Sequence, residues 1–438
     1  MNVGFISLGC AKNLVDTEIM MAALSKDHKI VNQIEKADIV IINTCGFIVE
    51  AKEEAIHEII TVGKLKEKGI LRYLVASGCL AQRYGQELLD EMPELDGVVG
   101  ISSFTDIDAI IKRIIDGERV MAITPPSEIF VECGPRVLST PPGSAYLKIA
   151  EGCRNRCSYC AIPSIRGQLR SRPIDELVLE AQELAHRGVK ELVLIAQDTS
   201  AYGQDLGDSS NLPALLSALN HLDGIEWIRL MYLHPAQITE EMIACFGNLD
   251  KVVPYMDIPI QHASSSILQR MNRRHDQDLL YELFEKIKAL VPDVVLRTTV
   301  MVGFPGETDR DFEELYAFIK AVEFDWLGTF IFQAEEGTPA MAMSDMIADE
   351  LKQKRRDKIM KLQHKITRSK NIARVGQQQR VLVSSRLSQN LYRGRAYFQA
   401  PDVDGMVMVK SEGTLVKGEF INVIFKGVRQ YDLIGELL

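Results

Sequence analysis

Three cysteines occupy eight positions of the segment EGCRNRCSYC with the spacing C-x3-C-x2-C, namely Cys153, Cys157 and Cys160. Thiolates at such short spacing are typical ligands of zinc or of an iron–sulfur cluster, and both sites ordinarily take four protein ligands. If these three bind a four-iron cluster, one iron has no protein ligand and can bind a substrate or a cofactor. A zinc site completed by a distant Cys or His and a purely structural cluster are the alternatives.

A second set of three cysteines follows apolar runs near the amino terminus: Cys10 ends VGFISLGC, Cys45 ends IVIINTC and Cys79 ends YLVASGC. Each stands at the carboxyl end of a predicted parallel strand, where the ligands of open α/β sheets gather. Gly9 and Gly78 precede two of them and allow the backbone to turn tightly. Because the three positions match, we predict a second three-thiolate cluster, although cysteine is also a common buried residue at strand ends.

The composition is that of a globular protein in a reducing compartment. The chain has 438 residues, of which 46% are hydrophobic and 25% are charged, and its length favours two or three domains. It has no apolar stretch of the roughly 20 residues that span a bilayer, and its amino terminus does not resemble a signal peptide. We therefore expect a cytoplasmic protein with no membrane partner, whose cysteines are metal ligands or reactive thiols rather than disulfides. Cys133 and Cys245 are not expected to be ligands, and Cys245 is expected to be buried.

The net charge of −10 is unevenly distributed along the chain. Residues 352–374 carry ten basic side chains and one acidic side chain, whereas residues 375–438 carry eight basic and six acidic side chains. An acidic body with one basic helix predicts no extended nucleic-acid surface. This charge distribution suits a partner that is itself basic.

The elements that must position these cysteines form an α/β protein with two alternations of apolar runs and helical patterns. Residues 1–123 predict an open parallel sheet with helices on both faces, and a Pro- and Ser-rich linker follows over 124–144. Six β/α units over 145–351 predict a partial (β/α)6 TIM-like barrel, with its site at the carboxyl ends of the strands. The basic helix over 352–374 closes this region, and the short strands over 375–438 predict a small five-stranded β-barrel.

The C-x3-C-x2-C motif follows the first barrel strand and has Tyr159 directly before its last cysteine. In these features the chain resembles the radical SAM superfamily. The resemblance implies that S-adenosylmethionine (SAM) chelates the open iron through its amino and carboxylate groups. It also implies that an electron from the cluster cleaves SAM to give a 5′-deoxyadenosyl radical. The missing fourth ligand is then the cofactor itself.

Two three-cysteine sets and a small terminal β-barrel together resemble the methylthiotransferases of this superfamily, over essentially the whole chain. Within that family the chain resembles the RimO branch, which methylthiolates an aspartate of the twelfth small-subunit ribosomal protein. The stretches that carry this resemblance are SLGCAKNLVDTE (7–18), NTCGFI (43–48), AQDTSAYG (196–203), MDIPIQHAS (256–264) and APDVDG (400–405). The resemblance implies two [4Fe–4S] clusters, a carboxyl-terminal TRAM domain, and SAM as both methyl donor and radical source.

The resemblance also places residues near SAM. The superfamily's SAM-lining strand and turn correspond to the segment MVGFPGETDRDFEEL, and hence to Gly303, Phe304, Gly306 and Glu307. Gln197 and Asp198 end another barrel strand and are expected near SAM or substrate, as is Tyr159. A capped Gly/Pro turn and a hydrogen-bonded strand end are the structural alternatives. No catalytic residue is predicted beyond the cluster ligands.

Two further residues of these segments are assigned structural roles. Thr308 is expected to cap the helix after the Gly/Pro turn, with Asp311 completing a capping pair. His262 is expected to be a structural or positioning histidine rather than a ligand.

Two other functions remain open. One is a methylthiotransferase that acts on a tRNA adenosine, typified by MiaB; this branch usually has Gln-Ser-Gly-Ser in place of Gln261–Ser264 and Asn-Val-Asn in place of Asp198–Ser200. The other is a non-catalytic iron–sulfur or zinc scaffold that binds RNA through its β-barrel. For the favoured function we expect a monomer whose partners are a ribosomal protein, a sulfur donor and an electron donor.

Overall fold

A computed structural model describes residues 1–131 and 133–438 of the chain. Helices and strands alternate through the amino-terminal region. Its strands are β1 (Asn2–Ser7), β2 (Lys29–Val31), β3 (Ile39–Thr44), β4 (Tyr73–Gly78), β5 (Gly97–Val99) and β6 (Val120–Ala122). Its helices are α1 (Ala11–Leu24), α2 (Val49–Glu67), α3 (Cys79–Glu91) and α4 (Ile107–Ile115).

These six strands form one parallel sheet in the order β2-β1-β3-β4-β5-β6. All six residues of the central strand β3, IVIINT, are buried. A run of β-branched residues without alternation is typical of a parallel strand that is covered on both faces. The predicted open sheet is confirmed, and β2 and β6 extend it at its two edges.

A second alternation begins at residue 144 and contains β7 to β14 and α5 to α12. Its strands are β7 (Ser144–Lys148), β8 (Ala150–Glu151), β9 (Arg170–Ser171), β10 (Glu191–Ile195), β11 (Trp227–Leu230), β12 (Val252–Asp257), β13 (Val295–Val302) and β14 (Trp326–Ile331). Its helices are α5 (Ile162–Arg166), α6 (Ile174–His186), α7 (Leu212–Asn220), α8 (Glu240–Asn248), α9 (Ser265–Arg270), α10 (Gln277–Leu290), α11 (Asp309–Val322) and α12 (Asp349–Ala373). Six of these strands form a parallel sheet in the order β14-β13-β12-β11-β10-β7. This sequential order is that of the predicted partial (β/α)6 barrel.

The last strands close into a small barrel in the order β15-β16-β17-β19-β18. They are β15 (Gln378–Ser388), β16 (Leu391–Arg395), β17 (Val407–Lys410), β18 (Phe420–Arg429) and β19 (Asp432–Leu437). Closure pairs every strand on both sides and leaves no sheet edge exposed. The predicted five-stranded β-barrel is confirmed.

The chain divides into two compact units. The first comprises Met1–Ser139, Ala150–Arg170 and Glu335–Thr338, and the second comprises the remaining residues. The C-x3-C-x2-C motif therefore packs in the same unit as the amino-terminal sheet. The domain boundaries inferred from the sequence stay a prediction, and the predicted linker over 124–144 includes Glu132, which lies outside the described residues.

Within the second unit, the small barrel packs against the amino ends of the partial-barrel strands. Trp326, the first residue of β14, donates its indole N–H to the carbonyl oxygen of Phe398 at 2.6 Å. Glu191, the first residue of β10, pairs with Arg395 at the end of β16. The expected SAM site belongs to the opposite, carboxyl ends of the same strands.

Across residues 1–131 and 133–438, no helix is long and apolar enough to cross a membrane.

Candidate active site

The three amino-terminal cysteines lie at one edge of the first sheet. Cys10 directly precedes α1, Cys45 follows β3 and Cys79 is the first residue of α3. The strands that precede them are neighbours in the order β1-β3-β4, and Ser7, Asn43 and Ser77 are aligned across them. Cys45 and Cys79 each follow these aligned residues by two positions and Cys10 follows by three, so all three stand at neighbouring strand ends but Cys10 is offset by one residue. A ligand role for these cysteines stays a prediction.

Glycine allows the loops that carry these cysteines to approach one another. Gly9 has φ +86°, and a Cβ added there would lie 2.7 Å from Cβ and 3.2 Å from Sγ of Cys45. Gly78 has φ +95°, and its added Cβ would lie 2.2 Å from Oδ1 of Asn43. Any other residue at these two positions would strain the backbone and push the cysteine loops apart.

Two asparagines that the sequence analysis did not single out hold these strand ends together. The Asn13 side-chain amide donates to the carbonyl oxygens of Leu8 and Thr44, both at 3.0 Å. The Asn43 amide donates to the carbonyl oxygen of Asn13 at 2.8 Å. Since both side chains are fully buried, these hydrogen bonds fix the loop after β1 against the end of β3 in a solvent-free environment.

The pKa values of the three thiols show that their charges interact. Burial, together with the smaller effects of the neighbouring Cys79 and Cys10, raises the pKa of Cys45 to about 12. Burial also raises the pKa of Cys79, although Arg166 opposes this effect. For Cys10 burial acts in the same direction, but Lys12 and Arg166 outweigh it and lower the pKa. Burial disfavours the thiolates of Cys45 and Cys79, and this fits a group that brings positive charge, because a coordinating metal deprotonates its thiols.

The three cysteines of the C-x3-C-x2-C motif lie on one half-buried loop. Its stem is closed by a hydrogen bond from the Cys153 N–H to the carbonyl oxygen of Gly167 at 3.1 Å. A Cβ added to Gly152 would lie 2.0 Å from the carbonyl oxygen of Gln168, so the two sides of the stem are in direct contact. The Cys160 N–H donates to the carbonyl oxygen of Cys157 at 3.1 Å, which turns the chain between these two thiols. Tyr159 is half-buried on the same loop.

Among the described residues, no group of three His, Cys, Asp or Glu side chains is arranged so that it could hold a single metal ion. A four-iron cluster distributes its thiolates over separate irons.

Arg166 is a further residue of the first unit that the sequence analysis missed. It is the last residue of α5, and its side chain is buried. Its Nε donates to Sγ of Cys79 at 3.2 Å, its Nη1 to Glu151 at 2.6 Å and its Nη2 to Oδ1 of Asn13 at 2.6 Å. Its position six residues after Cys160 was visible in the sequence, but its contact with Cys79 needs the folded chain.

In the second unit, the turn after β13 is held by Glu307. One Glu307 carboxylate oxygen accepts the N–H groups of Gly303 at 2.6 Å and Phe304 at 3.3 Å. The other oxygen accepts from Arg355 at 2.9 Å. Burial raises the pKa of Glu307 to about 7, against the lowering effects of Arg355 and the two N–H groups.

The other members of the predicted SAM segment face the protein interior. Phe304 is fully buried and packs edge to face on Phe332, with ring centroids 5.1 Å apart. A Cβ added to Gly303 would lie 2.2 Å from Cγ of Lys352, and one added to Gly306 would lie 2.8 Å from Cζ of Arg270. The backbone of this turn is thus positioned by close packing. Direct contact with SAM stays a prediction for all four residues.

The remaining predicted residues follow β10 and β12: Gln197 and Asp198 come just after β10, and His262 comes five residues after β12. Asp198 accepts the Ser200 N–H at 3.1 Å and the Gln237 side-chain amide at 3.0 Å, and Gln197 precedes it half-buried. Their contact with SAM or substrate also stays a prediction. His262 is fully buried, and burial lowers its pKa to about 3.

The predicted helix cap and the predicted environment of Cys245 are both confirmed. Thr308 and Asp311 form a capping box at the start of α11. Cys245 is buried in α8, whereas Cys133 is exposed.

Three family models match the chain in the order of its folded regions. Residues 2–100 match the uncharacterized protein family UPF0004, residues 147–319 match the radical SAM superfamily and residues 375–438 match the TRAM domain. A protein of Syntrophomonas wolfei named ribosomal protein uS12 methylthiotransferase RimO is 59% identical over 100% of both chains. A protein of Clostridioides difficile with the same name is 45% identical over 100% of this chain and 99% of the relative.

The chain belongs to the RimO family. Membership makes it a radical SAM methylthiotransferase, and the radical SAM family implies one [4Fe–4S] cluster and SAM. Among solved structures, the radical SAM methyltransferase TsrM of Kitasatospora setae matches with a TM-score of 0.58. The match is 13% identical and covers 77% of this RimO-family chain and 73% of TsrM, so it supports the fold alone.

Proposed function

We propose that this enzyme transfers a methylthio group to the β-carbon of an aspartate of ribosomal protein uS12. The full-length relatives named ribosomal protein uS12 methylthiotransferase RimO are 45% and 59% identical to the chain. The observation that carries the proposal is the convergence of Cys10, Cys45 and Cys79 at neighbouring strand ends. This convergence supplies a second thiol site, in addition to the one that every radical SAM enzyme needs.

We propose that each three-cysteine set holds one [4Fe–4S] cluster, with Cys153, Cys157 and Cys160 binding the cluster that takes SAM. When bound, the two clusters and SAM supply the electron, the radical and the sulfur–methyl group. Such cofactors are required because a C–H bond beside a carboxylate is too weakly acidic for a general base to remove its proton. The protein's own task is to position the reactants and exclude water.

The chain's residues suit that task in different ways. The turn that Glu307 holds presents its backbone at the carboxyl end of β13, and Gln197 and Asp198 stand at the carboxyl end of β10. We propose that these strand ends line the SAM and substrate site, and that Glu307 acts through the turn rather than by touching SAM. The reaction also needs an electron donor and a sulfur donor, which we propose to be separate proteins.

Iron content tests the two-cluster assignment. Anaerobically reconstituted protein is expected to hold about eight irons per chain, because each cysteine set organises four. Alanine at Cys153, Cys157 and Cys160 should leave about four irons and abolish SAM cleavage. Alanine at Cys10, Cys45 and Cys79 should also leave about four irons but retain SAM cleavage without product. If the second variant kept all of its iron, the amino-terminal cluster would be excluded.

Substrate identity is tested by mass. With SAM, reductant and sulfide, uS12 should gain about 46 Da, the mass of a methylthio group less one hydrogen. Deuterium at the aspartate β-carbon should be recovered in 5′-deoxyadenosine. The matched control is the variant with alanine at Cys10, Cys45 and Cys79. Modification of tRNA with none of uS12 would instead assign the enzyme to the tRNA branch.

A further inference from the structure

A buried guanidinium contacts one of the amino-terminal thiols from the segment that carries the other cysteine set. Arg166 ends α5, and this helix begins at Ile162, two residues after Cys160. Its Nε lies 3.2 Å from Sγ of Cys79, which is itself buried. All of these residues belong to the same compact unit.

Each of the three guanidinium nitrogens of Arg166 contacts a different partner. Nη1 donates to Glu151 at 2.6 Å, and Nη2 donates to Asn13 at 2.6 Å and lies 3.3 Å from Asp16. These contacts orient the planar group so that Nε is directed at sulfur. A lysine carries its donors on a single nitrogen and cannot reproduce this planar fork. The contact with Cys79 is therefore built into the network.

Apolar contacts hold the same helix against Cys79. Cys79 packs in one buried cluster with Ile101, Ala161 and Ile165. Ala161 directly follows the last cysteine of the C-x3-C-x2-C motif, and Ile165 precedes Arg166. The chain that leaves one cysteine set thus packs on a member of the other set by both an apolar contact and a charged contact.

We propose that Arg166 is a positioning residue of the amino-terminal cluster, to which it supplies a hydrogen bond and a fixed positive charge at the Cys79 sulfur. The inference rests on the proposed ligand role of Cys79. Hydrogen bonds to ligand sulfur and nearby charge are two of the factors that set the reduction potential of an iron–sulfur cluster. A cation at the sulfur stabilises the more negative, reduced cluster.

The same contact restrains the cluster ligand. A group that holds a metal ligand in orientation typically contributes about 10- to 100-fold to metal affinity or activity. Since the partners of Arg166 come from α1, α3 and the strand β8 before the motif, its loss frees Cys79 to move. Faster iron loss from the amino-terminal cluster is the expected consequence.

The test measures the amino-terminal cluster alone, in protein with alanine at Cys153, Cys157 and Cys160. Arg166→Lys keeps a charge but loses the fork. The double variant Arg166→Met with Glu151→Gln removes both members of the shortest ion pair of Arg166, so that the Glu151 carboxylate is not left without its partner. Midpoint potential is measured by redox titration, and iron release is timed with a chelator.

We expect a lower midpoint potential in the double variant and a smaller decrease in Arg166→Lys. Iron release should be about 10-fold faster or more in both variants. Arg136→Lys is the matched control, because Arg136 is also buried and pairs with Glu18 at 2.6 Å. This variant should leave both quantities unchanged.

Two outcomes separate this inference from the proposed function. If both variants hold about four irons with wild-type potential and iron release, Arg166 has no role at the cluster and the inference is wrong. If the parent protein without the C-x3-C-x2-C cysteines holds no iron, the amino-terminal cluster itself is absent and the proposed function fails. If Arg166→Lys unfolds but the double variant does not, the midpoint potential of the double variant decides whether Arg166 acts at the cluster.

Discussion

The clearest prediction concerns a buried carboxylate that joins the small barrel to the partial barrel. Glu191 is fully buried, accepts from Nε of Arg229 at 2.9 Å and from the Ser144 hydroxyl at 3.0 Å, and pairs with Arg395. Arg229 also donates to the carbonyl oxygen of Tyr397 at 2.6 Å. Both Arg395 and Tyr397 belong to the TRAM region, so Glu191→Gln removes the charge around which the two parts are assembled.

Two arguments give a similar size for the loss of stability caused by Glu191→Gln. Burial alone would raise the pKa of Glu191, but Arg395 and Arg229 outweigh it and lower the pKa from 4.5 to about 2. That difference corresponds to about 3 kcal/mol of stability. Breaking a buried ion pair by removing one partner ordinarily costs about 3–5 kcal/mol. We therefore expect Glu191→Gln to lower the free energy of unfolding by about 3 kcal/mol.

The pH dependence has a definite sign. Because the folded pKa of Glu191 lies below its ordinary value, its contribution is present above about pH 4.5 and is lost as the pH falls toward 2. Glu191→Gln should lack this acid-sensitive part of the stability.

Urea unfolding at pH 7, followed by limited proteolysis to detect release of residues 375–438, measures the effect. The matched control is Glu226→Gln, because Glu226 pairs with Arg380 between the same two regions at a partly exposed site. That exposed pair should contribute about 0–1 kcal/mol. Equal free energies of unfolding for Glu191→Gln and Glu226→Gln would refute the reasoning.

Three further predictions concern the cysteine loops, the helix cap at the start of α11 and the small barrel. Gly9→Ala should lose the amino-terminal iron but retain SAM cleavage. Gly69→Ala is the matched control: Gly69 also has a positive φ, but no atom lies within 4 Å of a Cβ added there, so this variant should keep its iron. Thr308→Ala should cost about 1 kcal/mol of unfolding free energy by removing the capping box, and a fall in the thermal midpoint with unchanged iron would show this. Removing residues 375–438 should lower the thermal midpoint because it uncovers Trp326. SAM cleavage should persist at temperatures where the truncated protein stays folded. A truncated protein that is folded but does not cleave SAM would contradict the separation of the small barrel from the site.

Most of the fold could be predicted because its signals are local. The runs IVIINT and YLVASG are strand-length and apolar, and helical patterns follow them, so a parallel sheet was the simplest solution. The positions of Cys45 and Cys79 directly after these runs then fixed the edge of the sheet at which they meet. The edge strands β2 and β6 are not predicted, because KIV and VMA are short and no clear helical pattern directly after them marks a β/α unit.

The predicted site was less complete where it depends on contacts between distant residues. Asn13, Asn43 and Arg166 each take part in a hydrogen bond with a residue 30 or more positions away, and no local pattern distinguishes them from ordinary polar residues. Glu307 shows the reverse case, because the sequence placed it correctly in a turn but could not show that its carboxylate faces that turn. Residue type and spacing identify groups that can do chemistry, whereas the direction of each side chain is set by the packing of the whole unit.

The buried charges show why this packing matters for a radical enzyme. Arg166 is surrounded by Glu151, Asp16 and Cys79, and a buried cation persists only when its partners are fixed. The network therefore specifies one arrangement of α5 relative to Cys79. Since α5 begins two residues after Cys160, displacement of the C-x3-C-x2-C loop would also displace the guanidinium at the other cysteine set. The geometry of the two sets is thus maintained by a shared polar network that is costly to break.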